Sequence, residues 1–249
     1  GANGVIIITT KRGSTGRKAI VSASTYYGTQ KIAKKLSMAN ASEFAQMYNE
    51  LKGSNYFPDP AALGAGTDWQ DVIYRDAPVA NVQVGVNGVL KKLNYNISGN
   101  YFNQQGILDK TGFNRYTSRF NGEYPLLRFL KIGTNLAYSN QKTKTVGGNI
   151  ISSAYRMPPV YAERDSTGDF TDPTFFGQSI GNPAADLYYK NDQNTRVNRL
   201  VGTVYTDLTF LKDFVFRINY GFDRRDTRDY SFEPIFMVSS SQLNNQEKT

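Results

Sequence analysis

The sequence contains no cysteine and no histidine, and only one tryptophan and four methionines among 249 residues. Without cysteine there are no disulfides, no thiol nucleophile and no thiolate metal ligand. Without histidine the commonest general base and transition-metal ligand is missing too. An enzyme made from this chain would be confined to carboxylate, Lys, Tyr or Ser/Thr chemistry. No apolar run approaches the ~20 residues that a membrane-crossing helix needs, so helical spans are excluded and strand-built spans are not. No charged-then-apolar leader follows Gly1. The length would suit one large domain or two small ones.

Aromatics are abundant. The chain has 17 Tyr and 15 Phe, yet its mean hydropathy is -0.49. Lys and Arg number 29 against 21 Asp and Glu, a formal charge of +8. That excess suits nucleic acid, anionic lipid or neither.

The dominant pattern is period-two alternation. Over 93–103, Leu93, Tyr95, Ile97, Gly99 and Tyr101 alternate with Asn94, Asn96, Ser98 and Asn100. Over 130–140, Leu130, Ile132, Thr134, Leu136 and Tyr138 share one register. Over 214–225, Phe214, Phe216, Ile218, Tyr220 and Phe222 oppose Arg217, Asn219, Asp223 and Arg225. Successive side chains of a strand point to opposite faces, so such alternation predicts half-buried strands. Weaker copies cover 18–30, 81–88, 115–124 and 197–210. An eighth stretch, 229–238, is interrupted by Pro234. Seven or eight strands of about 10 residues are expected, the length a tilted strand needs to cross a bilayer.

The connections sort by parity. Those at 31–79, 105–113 and 141–196 are medium or long, whereas 89–92, 125–128 and 211–213 are short. In an up-and-down barrel alternate connections emerge on the same side, and transmembrane barrels have short turns on one side and long loops on the other. Asn40 with Glu43 forms a capping box. Phe44, Met47, Tyr48 and Leu51 follow on one helical face, so 41–52 is predicted to be an amphipathic helix packed on the loop or rim. A second helix is predicted over 150–157, stopped by Pro158 and Pro159.

Catalytic and metal-binding constellations are lacking. Asp165, Asp169 and Asp172 do not follow the EF-hand order, and a solvated acidic turn accounts for them. Asp68, Asp71 and Asp76 around Trp69 read the same way. No GxGxxG, P-loop or GxSxG occurs. No catalytic, cofactor or metal residue is assigned. Lys34–Lys35, Lys91–Lys92 and Arg224–Arg225 are short pairs near strand ends, and the aromatics fall largely on the register opposite the arginines. Nucleic-acid binding is therefore not expected. Alternation instead assigns Arg115, Thr117, Arg119, Asn121 and Glu123 to a polar lumen on one strand. On another it assigns Arg217, Asn219, Asp223 and Arg225. The expected role of these charges is hydrogen bonding to one another and to a plug, ahead of direct substrate contact. Trp69, Tyr155 and Tyr161 are loop aromatics able to stack on sugar rings, with loop packing the favoured role.

Residues 1–13, GANGVIIITTKRG, resemble the segment that closes the plug domain in TonB-dependent outer-membrane transporters of the SusC/RagA family of Bacteroidota. The stretch Thr67-Asp68-Trp69-Gln70-Asp71 is similar to the family's TDWQD. Tyr101-Phe102-Asn103-Gln104-Gln105-Gly106-Ile107, followed by Asn114-Arg115-Tyr116, resembles its YxxQxGI…RY hairpin. Asn182-Pro183 matches an Asn-Pro of its third outer loop.

The resemblance implies an all-β fold, a partial transmembrane antiparallel barrel of about 7–8 meandering strands out of roughly 22, with short helices in long outer loops. Residues 1–13 would be the plug's last strand. Residues 14–249 would be the first third of the barrel, with outer loops at about 31–79 and 141–196. A sheet that stops there has an open edge, which does not stand in lipid. The chain is therefore expected to be an excerpt of a transporter located in the cell outer membrane. Implied partners are a SusD-like surface lipoprotein, the TonB complex, outer-membrane lipid and a glycan or peptide substrate, an oligosaccharide foremost. No chemistry on the substrate is implied. Two rivals are a receptor or adhesin on the same barrel that does not transport, and a soluble carbohydrate-binding β-sandwich.

Overall fold

A computed structural model of the chain describes residues 18–176, 180–211, 213–240 and 242–246. The plug strand expected at 1–13 lies outside the described residues. The alternating stretches form seven strands: β1 (Ile20–Gln30), β2 (Ala77–Leu90), β3 (Leu93–Gln105), β4 (Gly112–Pro125), β5 (Leu130–Thr145), β6 (Asp192–Phe210) and β7 (Phe214–Phe232). They pair in sequence order, each antiparallel to the next, as one meandering sheet. Connections 91–92, 126–129 and 211–213 lie at one end of this sheet, and 31–76, 106–111 and 146–191 lie at the other. The β2–β3 connection is the tight turn Lys91–Lys92, in which Lys91 takes φ 55° although it is not glycine.

Register carries the two-faced pattern across every strand. One row of direct partners runs Val86, Ile97, Phe120, Leu136, Gly202 and Phe222. A row on the opposite face runs Ser24, Gln83, Asn100, Thr117, Ser139, Arg199 and Arg225. The apolar face is widely exposed: Val84, Ile97, Tyr116, Ile132, Val204, Phe216 and Tyr220 are all accessible. Towards the long-loop end the belt of large apolar side chains stops at Val82, Tyr101 and Tyr116 on β2 to β4, and at Tyr138 and Leu200 on β5 and β6. On β7 it stops at Phe222, where Tyr230 and Phe232 follow only after Arg224, Asp226 and Arg228. This boundary slants by two same-face positions across the rows. Strands tilted against an apolar belt produce that slant.

The strands outrun the alternation that announced them. β5 continues through Gln141, Lys142, Thr143, Lys144 and Thr145, and β6 begins at Asp192 and runs for 19 residues. Here both faces are polar, so hydrophobic contrast vanishes while the backbone ladder continues. The loops accordingly shrink to 31–76 and 146–191.

The eighth strand is a correction. Residues 229–232 end β7, and 236–238 start β8 (Phe236–Ser239), which among the described residues pairs with β9 (Gln242–Asn244) in a separate hairpin. Pro234 has no N–H to give to a ladder, and the chain leaves the sheet there.

The long-loop end carries its own small core. The capping box forms as expected: Asn40 Oδ1 accepts from Glu43 N at 2.9 Å, Glu43 Oε2 accepts from Asn40 N at 2.9 Å, and α1 (Ala41–Lys52) follows. Gly53 at φ 57° ends it in the left-handed conformation that favours glycine. The stripe packs only in part. Phe44 and Tyr48 stack with Tyr56 and Phe57 nearby, whereas Met47 is 52% and Leu51 77% exposed. The side that is buried is the small one, Ala41 and Ala45. The other helices are α2 (Trp69–Ile73), α3 (Ile150–Arg156) and α4 (Pro183–Tyr189), and their apolar residues form one cluster.

Candidate functional site

Two regions hold the residues assigned from sequence: the polar face and the long-loop layer. On β4, Arg115, Arg119 and Glu123 share the polar register, and on β7 Arg217 and Asp223 do so. The structure brings some of them together through residues that sequence reasoning had not singled out. Towards the short-turn end, Arg217 donates to Asp207 through Nε at 2.5 Å and Nη2 at 2.7 Å, a bidentate pair. Lys131 reaches Asp207 at 3.1 Å and Glu123 at 3.4 Å. The Tyr205 hydroxyl donates to Glu123 at 2.7 Å, and the Arg217 guanidinium lies 4.8 Å from the Tyr205 ring centre. Asp207 is only 4% exposed, so its charge is compensated rather than solvated.

Tyr205 can lie flat here because its direct partner is Gly133. A Cβ at Gly133 would meet the ring at 2.2 Å. Glu123 and Arg217 thus meet in one network spanning β4 to β7. Asp223 stands apart, paired with Arg199 at 2.9 and 2.5 Å. Parity puts Tyr205 and Asp207 on one face of β6 with Arg199, but which of them meets Glu123 or Arg217 is set by strand pairing.

Arg115 and Arg119 line two polar hollows. One, of about 300 Å³, also involves Tyr26, Asn81, Gln83, Asn100 and Thr117; the other, of about 190 Å³, is bounded by Ser139, Gln141 and Arg199. The Arg115 guanidinium sits 5.8 Å from the Phe102 ring centre, and its Nε is buried without a hydrogen-bond partner. Amides and hydroxyls dominate this part of the face.

The loop aromatics sit elsewhere. Trp69 is 3% exposed in the loop core, and its indole N–H donates to the Pro158 carbonyl at 3.1 Å. The Tyr155 hydroxyl lies 3.1 Å from that of Tyr74. Burial and this neighbouring hydroxyl push the Tyr74 phenol up to about 12. Tyr161 packs against the same cluster, and its hydroxyl donates to Pro173 O at 3.4 Å. Asp165 closes its own turn, accepting from the Thr167 hydroxyl at 2.6 Å and from Asp169 N at 3.1 Å. The Thr167 hydroxyl holds that carboxyl below the usual range. Lys35 bridges Asp68 and Asp71 at the entrance to α2.

Asn182 is the densest polar node and is fully buried. Its Oδ1 caps α4, accepting from Ala184 N at 3.0 Å and Ala185 N at 3.4 Å. Its amide donates to the Glu163 and Thr171 carbonyls, each at 3.1 Å. The Gln242 side chain pairs with both backbone groups of Asn182 at 2.6 and 2.9 Å, fastening the β8–β9 hairpin to α4.

No family model matches the chain. It is similar to TonB-dependent receptor P3 of Formosa agariphila, 31% identical over 252 residues, covering 97% of this chain and 24% of that protein. It is also similar to TonB-dependent receptor SusC of Bacteroides thetaiotaomicron, 33% identical over 234 residues, covering 84% of this chain and 23% of that protein. Among solved structures, the RagAB peptide importer in its open-open state superposes with TM-score 0.75 at 20% identity, covering 96% of this chain and 31% of that one. At that identity the likeness is one of fold. A two-faced meander with loops sorted by end, matched in this way, defines an outer-membrane β-barrel protein of the TonB-dependent receptor class. Within that class the chain belongs with the SusC-like receptors, and it spans about a quarter of the length of the curated relatives it matches.

Proposed function

We propose that residues 1–13 close the plug and 14–249 form the first third of the barrel of a SusC-like active importer of a bulky nutrient. The carrying observation is a sheet with one continuous polar face and one continuous apolar face, its long connections all at one end. The apolar face meets lipid and the polar face lines the lumen, where the Glu123–Lys131–Asp207–Arg217 network and the Arg115 guanidinium face the plug. The long-loop end is extracellular. There the exposed apolar side chains Leu36, Met38, Met47 and Leu51 supply a contact for a SusD-like lipoprotein lid. Substrate is captured beneath the lid, and TonB pulling on the plug opens the path. No chemistry on the substrate belongs to this reading.

An oligosaccharide is the preferred cargo. The polar face is rich in neutral amides and hydroxyls, among them Asn81, Gln83, Asn100, Thr117, Asn121, Asn135 and Ser139, which exchange hydrogen bonds with sugar hydroxyls as readily as with water. A strain lacking the full receptor is expected to lose growth on one oligosaccharide class and keep growth on peptides. Growth lost on peptides instead would overturn the cargo. Surface binding that survives without TonB-dependent accumulation would replace import by a receptor or adhesin role. Orientation is tested separately by single cysteines. Thr203→Cys should react with a water-soluble maleimide, and Val204→Cys only with a lipid-soluble one.

A further inference from the structure

On the apolar face, just beyond the aromatic belt at the long-loop end, the strands place cations against cations. Lys142 on β5 is the direct partner of Arg196 on β6, and Arg196 is the direct partner of Arg228 on β7. Lys144 lies one same-face position further along β5. Arg224 is the first residue of that face beyond Phe222 on β7. Direct partners in an antiparallel pair bring their Cβ atoms to about 4.5–5.5 Å, and like charges so placed are destabilising. Arg196, Arg224 and Arg228 are exposed. Among the described residues the only ion pair made by these five cations is that of Arg228 with Asp226, at 3.6 Å. Five cations in one patch therefore have one engaged carboxylate between them.

We propose that this patch binds the phosphorylated headgroup of a lipid in the outer leaflet. The inference rests on the reading that the apolar face meets lipid. Two features select a lipid over a free anion. The patch is continuous with the belt of Tyr138, Leu200 and Phe222 below it, so one molecule can lay acyl chains on the belt and phosphate on the cations. It also points away from the polar face, where a transported solute would pass. Arginine guanidinium suits phosphate because its donors form a planar fork, and two arginines flank one another in the row. A polyvalent anion there removes the like-charge repulsion that the register imposes.

The test uses the full receptor in detergent, titrated with phosphorylated lipid A and followed by native mass spectrometry. Each Lys or Arg beside an anionic leaflet contributes about fivefold in affinity, so Lys142→Gln/Arg196→Gln/Arg228→Gln should weaken binding about a hundredfold. Dephosphorylated lipid A should bind both proteins equally and weakly. Lys92→Gln, at the short-turn end, should bind like wild type. The charge-preserving Lys142→Arg variant, which keeps the Arg196–Arg228 pair, should also bind normally, which separates charge from folding. Undiminished binding by the triple variant would overturn the proposal. Full competition by inorganic phosphate would replace a lipid site by an anion site, and conversion of a dimer to a monomer with unchanged lipid binding would replace it by a contact between copies. Val204→Cys is labelled alongside. Reaction with the water-soluble maleimide would mean that the lipid-facing assignment itself has failed, whatever the titration gives.

Discussion

Replacing Asn182 by alanine should loosen α4 and its ties to the Glu163 and Thr171 carbonyls while leaving the β8–β9 hairpin and the seven-stranded sheet in place. The side chain makes four contacts, two accepted from the first turn of α4 and two donated to the Glu163 and Thr171 carbonyls. Loss of the cap costs about 1 kcal/mol. Each lost bond to a carbonyl costs about 0.5–1.5 kcal/mol, so the total is about 2–4 kcal/mol. The effect should be local, because Gln242 grips the Asn182 backbone and not its side chain. Hydrogen exchange on the full receptor reads this directly: amides of α4 should lose protection by about that amount, and those of β9, β5 and β6 should not change. Asn182→Asp separates the two roles. Aspartate is as good a cap as asparagine, but its carboxylate would face two carbonyl oxygens with no proton to give. It should therefore destabilise at least as much as alanine. Wild-type protection in Asn182→Asp, or a loss below about 0.5 kcal/mol in Asn182→Ala, would refute the claim that donation to the two carbonyls holds the loops together.

Three further outcomes follow from the same geometry. Trp69→Ala should destabilise the loop core by about 3–5 kcal/mol, seen as protease cleavage within 146–191 on intact cells without loss of the barrel's heat-modifiable gel shift. Val204→Arg should cost about 2–4 kcal/mol in folding titrations into phospholipid vesicles, whereas Thr203→Arg should fold nearly like wild type; equal costs would mean that the faces are misassigned. Tyr74 has its phenol raised from 10.0 to about 12 by burial and by Tyr155. A raised acid favours the folded state while protonated, so its contribution is complete below about pH 10 and disappears as the pH passes 12. Loop protection should fall across that window in wild type, and less steeply in Tyr74→Phe.

The parts of this molecule that showed in the sequence share a physical character. Strands were visible where the two faces contrast, and α1 was visible because a capping box and a stripe of four apolar residues coincide. α4 was not, although Asn182-Pro183 was noted. Five of its seven residues are buried, so it has no polar side and no periodicity to display. α2 is five residues long, too short for a period. The ends of β5 and β6 show no alternation for the opposite reason, being polar on both faces, and on β7 Arg224, Asp226 and Arg228 interrupt the apolar register before Tyr230 and Phe232. Arg115, Arg119, Glu123, Arg217 and Asp223 lie in the polar register that their parity required. Their partners Lys131, Tyr205, Asp207 and Arg199 depended on which strand lies beside which, and at what offset.

The amino-acid sequence by itself determined the two-faced strands, the ends at which loops are long, and the absence of thiol and imidazole chemistry. Each is a local property, set by side-chain alternation, by the turn residues or by composition. Tertiary structure decided what needs two distant segments at once: the 4-to-7 strand network around Asp207, the removal of 236–238 from the sheet, and the burial of Trp69 against Pro158, 89 residues away. It also decided that Lys142, Arg196 and Arg228 stand side by side. Alternation places each of them on a face, but only backbone pairing sets the register that makes three separate cations into one patch.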